Sequence, residues 1–240
     1  MNINAAYYSS VGNRSNNEDN ISLLENRDNI IAIVADGLGG EGNCDLASQT
    51  TVKTINGQLS AVNAVAEQIS SAILHANEEI IKLQDNGNKM KSTVAVLHLN
   101  DTRAIAVNVG DTRIYQFRKN RVVYQSTDHS VAQMSVNVGE IAAGNIRGHI
   151  DRNRLTSALG SRSSLEVDLN ELIYQNGDAF LLCSDGFWEY VVEDEMCADL
   201  SDSNHADEWL CKMRKRVELQ ISPTGDNHSA IAIIITNKGN

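Results

Sequence analysis

Apolar residues recur in two rhythms along this 240-residue chain. Over 3–10, 20–24 and 29–35 they alternate or run together, which predicts three strands. The second is short and polar on one side, and "RDN" (27 to 29) supplies a hairpin turn before the third. From Asp45 to about Leu83 the spacing changes to three and four residues, through Val52, Ile55, Leu59, Val62, Val65, Ile69, Ile73, Ile80 and Ile81. That spacing predicts two helices broken near Gly57 to Ser60 and ended by Asp85 to Asn88, with Gly87 at the centre of the stop. Strand rhythm then returns in "STVAVLHLN", "RAIAVNVG", "RIYQFR" and "RVVYQS", joined by Asp-Thr and Lys-Asn turns in the manner of an antiparallel meander.

Residues 128–138 read as a short helix capped by Asp128, and 139–164, rich in Gly, Asn and Arg, as an irregular surface excursion. "DAFLLCSDG" is a buried strand, 193–200 and 204–219 are helices, and "SAIAIIITN" (229 to 237) is a closing strand. Strands, helices, many strands, helices, strand: this order suits an α+β layered fold better than alternating βαβ units. No change of composition and no Pro-rich or Gly/Ser-rich linker divides the chain, so a single domain over 1–240 is expected.

Charge narrows the partners. The net charge is −11, from 20 Lys and Arg against 31 Asp and Glu, which disfavours nucleic acid and anionic membranes. The first nineteen residues have neither a basic flank nor a continuous apolar core, and the apolar runs elsewhere are strand-length, so a cytoplasmic protein is expected. Cys44, Cys183, Cys197 and Cys211 have no zinc-like spacing and read as small buried or half-buried side chains.

The ends of the apolar strands carry the chemistry. "IIAIVADG" ends on Asp36 and Gly37, "AFLLCSDG" on Asp185 and Gly186, "AIAVNVGD" on Gly110 and Asp111, and Asp226 stands just before the final apolar run. Carboxylates gathered at one edge of a core repel one another unless a cation sits among them. Hard oxygen donors with no Cys or His set favour Mg²⁺ or Mn²⁺ over zinc. Glycine after Asp36 lets a backbone carbonyl approach such an ion. Glu18 and Asp19 join the set if the first strands lie beside Asp36. Two such ions would activate a water for in-line displacement at phosphorus, and Arg14, four residues before Glu18, is the best-placed guanidinium to grip the phosphoryl oxygens.

At this point the chain resembles the metal-dependent Ser/Thr protein phosphatases of the PP2C type, in their short bacterial form. The matching segments are "VGNRSNNED" (11 to 19), "VADGLGGEGNCDLAS" (34 to 48), "STVAVL" (92 to 97), "NVGDTRIY" (108 to 115), "STDHS" (126 to 130), "RNRLTSALG" (152 to 160), "LLCSDGFWE" (181 to 189) and "GDNHSAIAI" (225 to 233). The resemblance implies a four-layer α-β-β-α sandwich of two antiparallel sheets flanked by helices, with a dinuclear site at one edge. It implies that Asp36 bridges two ions, Mn²⁺ or Mg²⁺, and that Gly37 lends its carbonyl to one. Asp185 and Asp226 would complete the other, Glu18 or Asp19 would serve the first, and Arg14 would bind phosphate. Asp111 would belong to a third, weaker site. The implied activity is hydrolysis of phosphoserine and phosphothreonine in proteins, opposing a Ser/Thr kinase, by a monomer. The alternatives are a catalytically silent phosphoprotein-binding regulator on the same fold, or a phosphatase dedicated to one regulatory protein.

Leu38 stands where animal members carry a His proposed to protonate the leaving group, which leaves a water on the metal as the default acid. Glu41 and Cys44 or Asp45 replace a His and a Gly common in bacterial relatives. Residues 139–164 correspond to the family's flap, made locally basic by Arg147, His149, Arg152 and Arg154. "DHS" (128 to 130) is too compact for a Ser-His-Asp relay. His228 is close to Asp226 in sequence, whereas His75, His98 and His205 read as structural or surface residues. Phe187 and Trp188 read as core anchors, and "KMRKR" (212 to 216) as a solvated helix face.

Overall fold

Alternating side chains give a strand two faces, and here both faces of the central strands are apolar, so each sheet needs cover on both sides. The computed structural model describes residues 2–25, 29–39, 43–59, 65–84, 89–100 and 103–236. In chain order its elements are β1 (Asn2–Ser10), β2 (Asp19–Glu25), β3 (Asn29–Leu38), α1 (Cys44–Leu59), α2 (Ala66–Leu83), β4 (Lys91–Ser92), β5 (Val94–Asn100) and β6 (Ala104–Val109). They continue as β7 (Arg113–Arg118), β8 (Arg121–Gln125), α3 (Val131–Asn137), β9 (Asp168–Leu172), β10 (Ala179–Cys183), α4 (Asp185–Trp188), α5 (Glu193–Ser201), α6 (Ala206–Gln220) and β11 (His228–Thr236).

Two antiparallel sheets result, ordered β1-β11-β10-β7-β8 and β2-β3-β5-β6-β9, with β4 pairing the end of β3. Between them Ile30, Ala32, Val34 and Leu97 of one sheet meet Ile114, Phe180, Leu182 and Ile231 of the other. The outward side chains of β3, β5 and β6 (Ile31, Ile33, Val96, Val107) pack on Ile55, Ile69, Ile73 and Ile80 of α1 and α2. Those of the other sheet, among them Phe117, Leu181 and Ala232, pack on Trp209, Met213 and Val217 of α6. The four-layer α-β-β-α arrangement expected from the sequence is therefore present. Among the described residues no helix is long and apolar enough to cross a membrane.

Several elements depart from the expectation. The meander splits: β5 pairs with β6 in one sheet and β7 with β8 in the other, because the turn at Gly110 (φ 97°) carries the chain across the sandwich. Among the described residues the Lys119-Asn120 hairpin is a tight reversal of the expected kind, with φ values of 51° and 56° as a two-residue primed turn requires. β9 has the polar sequence DLNEL and was not foreseen; it is an edge strand on β6 and needs little apolar surface. Asp128 does not cap α3. Ser130 does, its Oγ accepting the Gln133 N–H at 3.2 Å, while Asp128 is buried against Arg113. Gly57 lies within α1, and β3 runs on through Asp36 to Leu38. Residues 139–164 contain a 3₁₀ turn at Ala143–Gly148 and are tied down by bridges from Leu155 to Ser130 and from Leu159 to Ser92. The expected turns at 27–28, 85–88 and 101–102 lie outside the described residues.

Trp209 anchors the α6 layer. It is fully buried, meets Phe117 edge-on at 5.2 Å, and donates its indole N–H to the Met196 carbonyl at 3.0 Å. Trp209→Ala should therefore cost about 3–5 kcal/mol. A fall of the urea midpoint by that equivalent, with the strand ends of the opposite edge undisturbed, is the expected result; a change under about 1 kcal/mol would contradict the packing.

Candidate active site

Turns at one end of the sandwich bring the strand-end residues to a common cavity of about 220 Å³. Arg14, Glu18, Asp36, Gly37, Asp111, Asp185 and Asp226 all line it, together with Leu38, Thr93, Asn153 and Leu155. Each sheet contributes: Asp36 ends β3 in one, while Asp185 and Asp226 flank β10 and β11 in the other. Of the alternatives Glu18 and Asp19, Glu18 lines the cavity, whereas Asp19 is almost wholly buried and is not among the lining residues.

Close backbone approach explains two of the glycines. A Cβ on Gly37 would lie 2.1 Å from the Cys44 carbonyl oxygen, so only glycine lets β3 meet the start of α1. A Cβ on Gly186 would lie 2.1 Å from the Asn227 carbonyl oxygen, so glycine there lets α4 start against the loop that carries Asp226. In both places the glycine after the aspartate sets the distance between chain segments.

Electrostatics in this cavity are unfavourable as they stand. Asp19 and Asp36 are directly opposite in the β2–β3 register, where like charges destabilise a sheet. Burial first, then the carboxylates of Asp19, Asp185, Asp111 and Asp226, push Asp36 well above the ordinary carboxylate range. Asp185 is raised well above it by burial, then by Asp111, Glu189, Asp226 and Asp19. Burial lifts Asp111 to about 7 and Asp19 to about 6, and it also raises Glu18. Among the described lining residues Arg14 is the one guanidinium, and its Nη2 meets Asp226 Oδ2 at 2.8 Å with the two side chains 53% and 41% exposed. A pair so exposed contributes about 0–1 kcal/mol and leaves the other carboxylates uncompensated.

The donor chemistry fits a hard divalent cation. It consists of carboxylates and backbone carbonyls, no described lining residue is a histidine or cysteine, and Asp19 Oδ1 is buried with no hydrogen-bond partner. Among the described residues no three His, Cys, Asp or Glu side chains already close into a ligand set, so the carboxylates line a cavity wider than a finished coordination sphere.

Polar clamps that sequence reasoning missed hold these repelling turns together. Asn227 donates to the carbonyls of Val11 and Asn16 at 2.8 and 2.9 Å and accepts the Glu18 N–H at 2.8 Å, tying the 11–18 loop to the start of β11. Ser184 Oγ donates to Asp19 Oδ2 at 2.8 Å across the two sheets. Trp188 Nε1 donates to the Asp111 carbonyl at 2.9 Å. Over its ring, 3.5 Å from the centroid, lies the guanidinium of Arg113, which is bound at both ends by Asp128 at 2.8 and 2.6 Å. Asn227 and Ser184 adjoin Asp226 and Asp185 in sequence, and that adjacency was the available signal.

Other expectations separate. His228 is buried and hydrogen-bonded to the Tyr8 hydroxyl at 3.1 Å, its pKa lowered by burial, and it does not line the cavity. The basic flap is already neutralised: Arg147 bonds the Trp188 carbonyl and Glu193, Arg152 bonds Glu189 at 2.6 Å, and Arg154 bonds Asp151 at 3.1 Å. Phe187 and Trp188 are core anchors as read, and Lys212, Arg214 and Arg216 of the "KMRKR" run pair with acidic neighbours. Glu41 lies outside the described residues, and Cys44 is a buried free thiol.

Known proteins are similar to this chain in sequence and fold. The sequence pattern of the family described as Protein phosphatase 2C matches residues 8–224. A serine/threonine phosphatase, stp, of Listeria monocytogenes serotype 4b is 36% identical over 194 residues, covering 76% of this chain and 77% of that protein. The Ser-Thr phosphatase MsPP of Mycobacterium smegmatis, solved in complex with cacodylate, superposes with a TM-score of 0.82 at 26% identity, over 96% of this chain and 97% of that one. The catalytic domain of the phosphatase PstP, solved with two manganese ions, shares the fold at a TM-score of 0.82 and 21% identity, over 98% of this chain and 99% of that one. By the extent of the family match and the identity to the Listeria relative, this chain belongs to the protein phosphatase 2C family.

Proposed function

We propose that this chain is a metal-dependent protein serine/threonine phosphatase, with residues 1–240 as one catalytic domain acting as a cytoplasmic monomer on phosphoproteins, opposite a Ser/Thr kinase. One observation carries the reading: five carboxylates from both sheets, Asp111 buried and Glu18, Asp36, Asp185 and Asp226 partly buried, face one cavity in which Arg14 is the one guanidinium among the described lining residues. The name of the Listeria relative supports the substrate class. The resemblance noted above assigns the roles, with Asp36, Gly37, Asp185 and Asp226 holding two Mn²⁺ or Mg²⁺ ions, Glu18 assisting, Asp19 supporting from behind, and Asp111 belonging to a third site.

Such ions, when bound, supply the charge that binds phosphoryl oxygens and the acidity that makes a water nucleophilic near neutral pH. The remaining work falls to the chain. Asp36, at the end of β3 on the cavity wall, helps fix where the reacting phosphorus must stand. Arg14 gives up Asp226 for the phosphoryl oxygens, an exchange that costs little because the pair is half-exposed. Leu38 and Leu155 close the wall with apolar surface and limit competing water. With no His on the described wall, the leaving group's proton comes from solvent held in the cavity.

Hydrolysis of p-nitrophenyl phosphate and of a phosphothreonine peptide should require added Mn²⁺ or Mg²⁺ and fall at least about a hundredfold in Asp185→Asn. Folded protein that turns over neither compound in any divalent metal would favour a binding regulator or a single-substrate enzyme.

Metal removal has a definite pH signature. Asp19 and Asp111 titrate in the fold near 6 and 7, above their unfolded values, so the stability they contribute is full below about pH 4 and is lost as pH rises through those folded values. Chelated protein should therefore melt at progressively lower temperature from about pH 4 to pH 7, and saturating Mn²⁺ should remove that fall. A pH-independent melting temperature without metal would contradict the repulsion.

A further inference from the structure

We propose that His129 is a positioning residue for Asp111, its imidazole clamping the Gly110 peptide so that the next residue's carboxylate stays turned into the cavity. The inference rests on the reading of Asp111 as a cation ligand.

One residue satisfies both backbone polar groups of Gly110, which belong to the two successive peptides that flank its Cα. The His129 backbone N–H donates to the Gly110 carbonyl at 2.9 Å, and the Gly110 N–H donates to His129 Nδ1 at 3.2 Å. With Nδ1 accepting, the ring proton sits on Nε2, which points at Asp168 Oδ2 3.3 Å away on the edge strand β9. The imidazole is only 16% exposed. The His129 carbonyl accepts the Thr156 N–H at 2.8 Å, which joins the clamp to the segment that supplies Asn153 and Leu155 to the cavity wall. On the far side of Asp111, Trp188 holds the carbonyl. The turn is thus pinned on both flanks of the aspartate. It needs to be: Asp111 is the largest charge acting against Asp185, and that repulsion drives the turn outward whenever no cation lies between them. Gly110 has φ 97° and its Cβ would collide with Thr93, so the backbone there resists adjustment and an acceptor must come to it.

The test is Mn²⁺ binding by titration calorimetry on chelator-treated full-length protein, comparing wild type with Asp111→Asn, His129→Leu, His129→Asn and Asp168→Asn. The step lost in Asp111→Asn identifies the Asp111-dependent ion. His129→Leu should weaken that step about tenfold, the usual scale for a residue behind a metal ligand. His129→Asn should hold it within about threefold, because its Oδ1 occupies the place of Nδ1 and still accepts from Gly110. Asp168→Asn, at a half-exposed position that does not threaten folding, should weaken it in the same direction by a smaller factor. A wild-type isotherm for His129→Leu, or one for Asp168→Asn should the leucine variant fail to fold, would overturn the clamp. So would an Asn variant as weak as the Leu variant. An unchanged isotherm for Asp111→Asn would instead remove the ligand assignment, and the proposal with it.

Discussion

Partly and wholly buried carboxylates gathered in one cavity between two sheets are the constraint that shapes this end of the molecule. Glu18, Asp36, Asp111, Asp185 and Asp226 share a cavity, and Asp19 stands behind Asp36 in direct register. Left alone, such a group would push its turns apart. Each turn is instead fastened by a neutral or cationic neighbour: Asn227 for the 11–18 loop, Ser184 for Asp19, and the indole of Trp188 for Asp111. Beneath Trp188 the buried Arg113–Asp128 pair supplies a rigid support. Removing one partner of a pair this buried typically costs about 3–5 kcal/mol, because the other is left charged without water. The fold thus holds a repulsive arrangement ready and leaves its relief to a ligand of opposite charge, which is electrostatic preorganisation.

Glycine and serine carry more of this than the acidic residues suggest. Gly37 and Gly186 each admit a neighbouring carbonyl that a methyl group would strike, so they set the spacing between segments that present the aspartates. Ser184 accepts the Ser229 N–H while donating to Asp19, which couples β10, β11 and β2 at the point where the sheets come closest to the cavity.

Much of this end of the fold was legible in the sequence. Apolar runs that stop on Asp-Gly declared both the strands and the ends that line the common cavity, because burial dictates the run and close backbone approach dictates the glycine. Helical spacing placed α1 and α2 for the same reason. What escaped was non-local. The split of β6 and β7 between sheets depends on the turn at Gly110, which periodicity does not encode, and β9 is an edge strand whose polar sequence carries no burial signal. Asp128 read as a helix cap because capping is the local use of an aspartate at a helix start; its real partner, Arg113, is fifteen residues away. The flap read as locally basic partly because the acidic partners of Arg147 and Arg152, Glu193 and Glu189, are distant in sequence. Ser184 and Asn227 adjoin the candidate ligands, but their partners Asp19, Val11 and Asn16 are more than 150 residues away, beyond the reach of local patterning.

The central claim is that the carboxylates of Asp36, Asp185 and Asp226 exist to hold divalent cations between the sheets. Its most direct measurement is the anomalous scattering of crystals grown with Mn²⁺, recorded on both sides of the manganese absorption edge. The account predicts two strong anomalous peaks inside the cavity, the one nearer β3 and the other nearer the β10 and β11 ends both within coordination distance of Asp36, and Arg14 withdrawn from Asp226. Well-ordered crystals with no anomalous density among these residues, or with manganese only elsewhere on the surface, would contradict it.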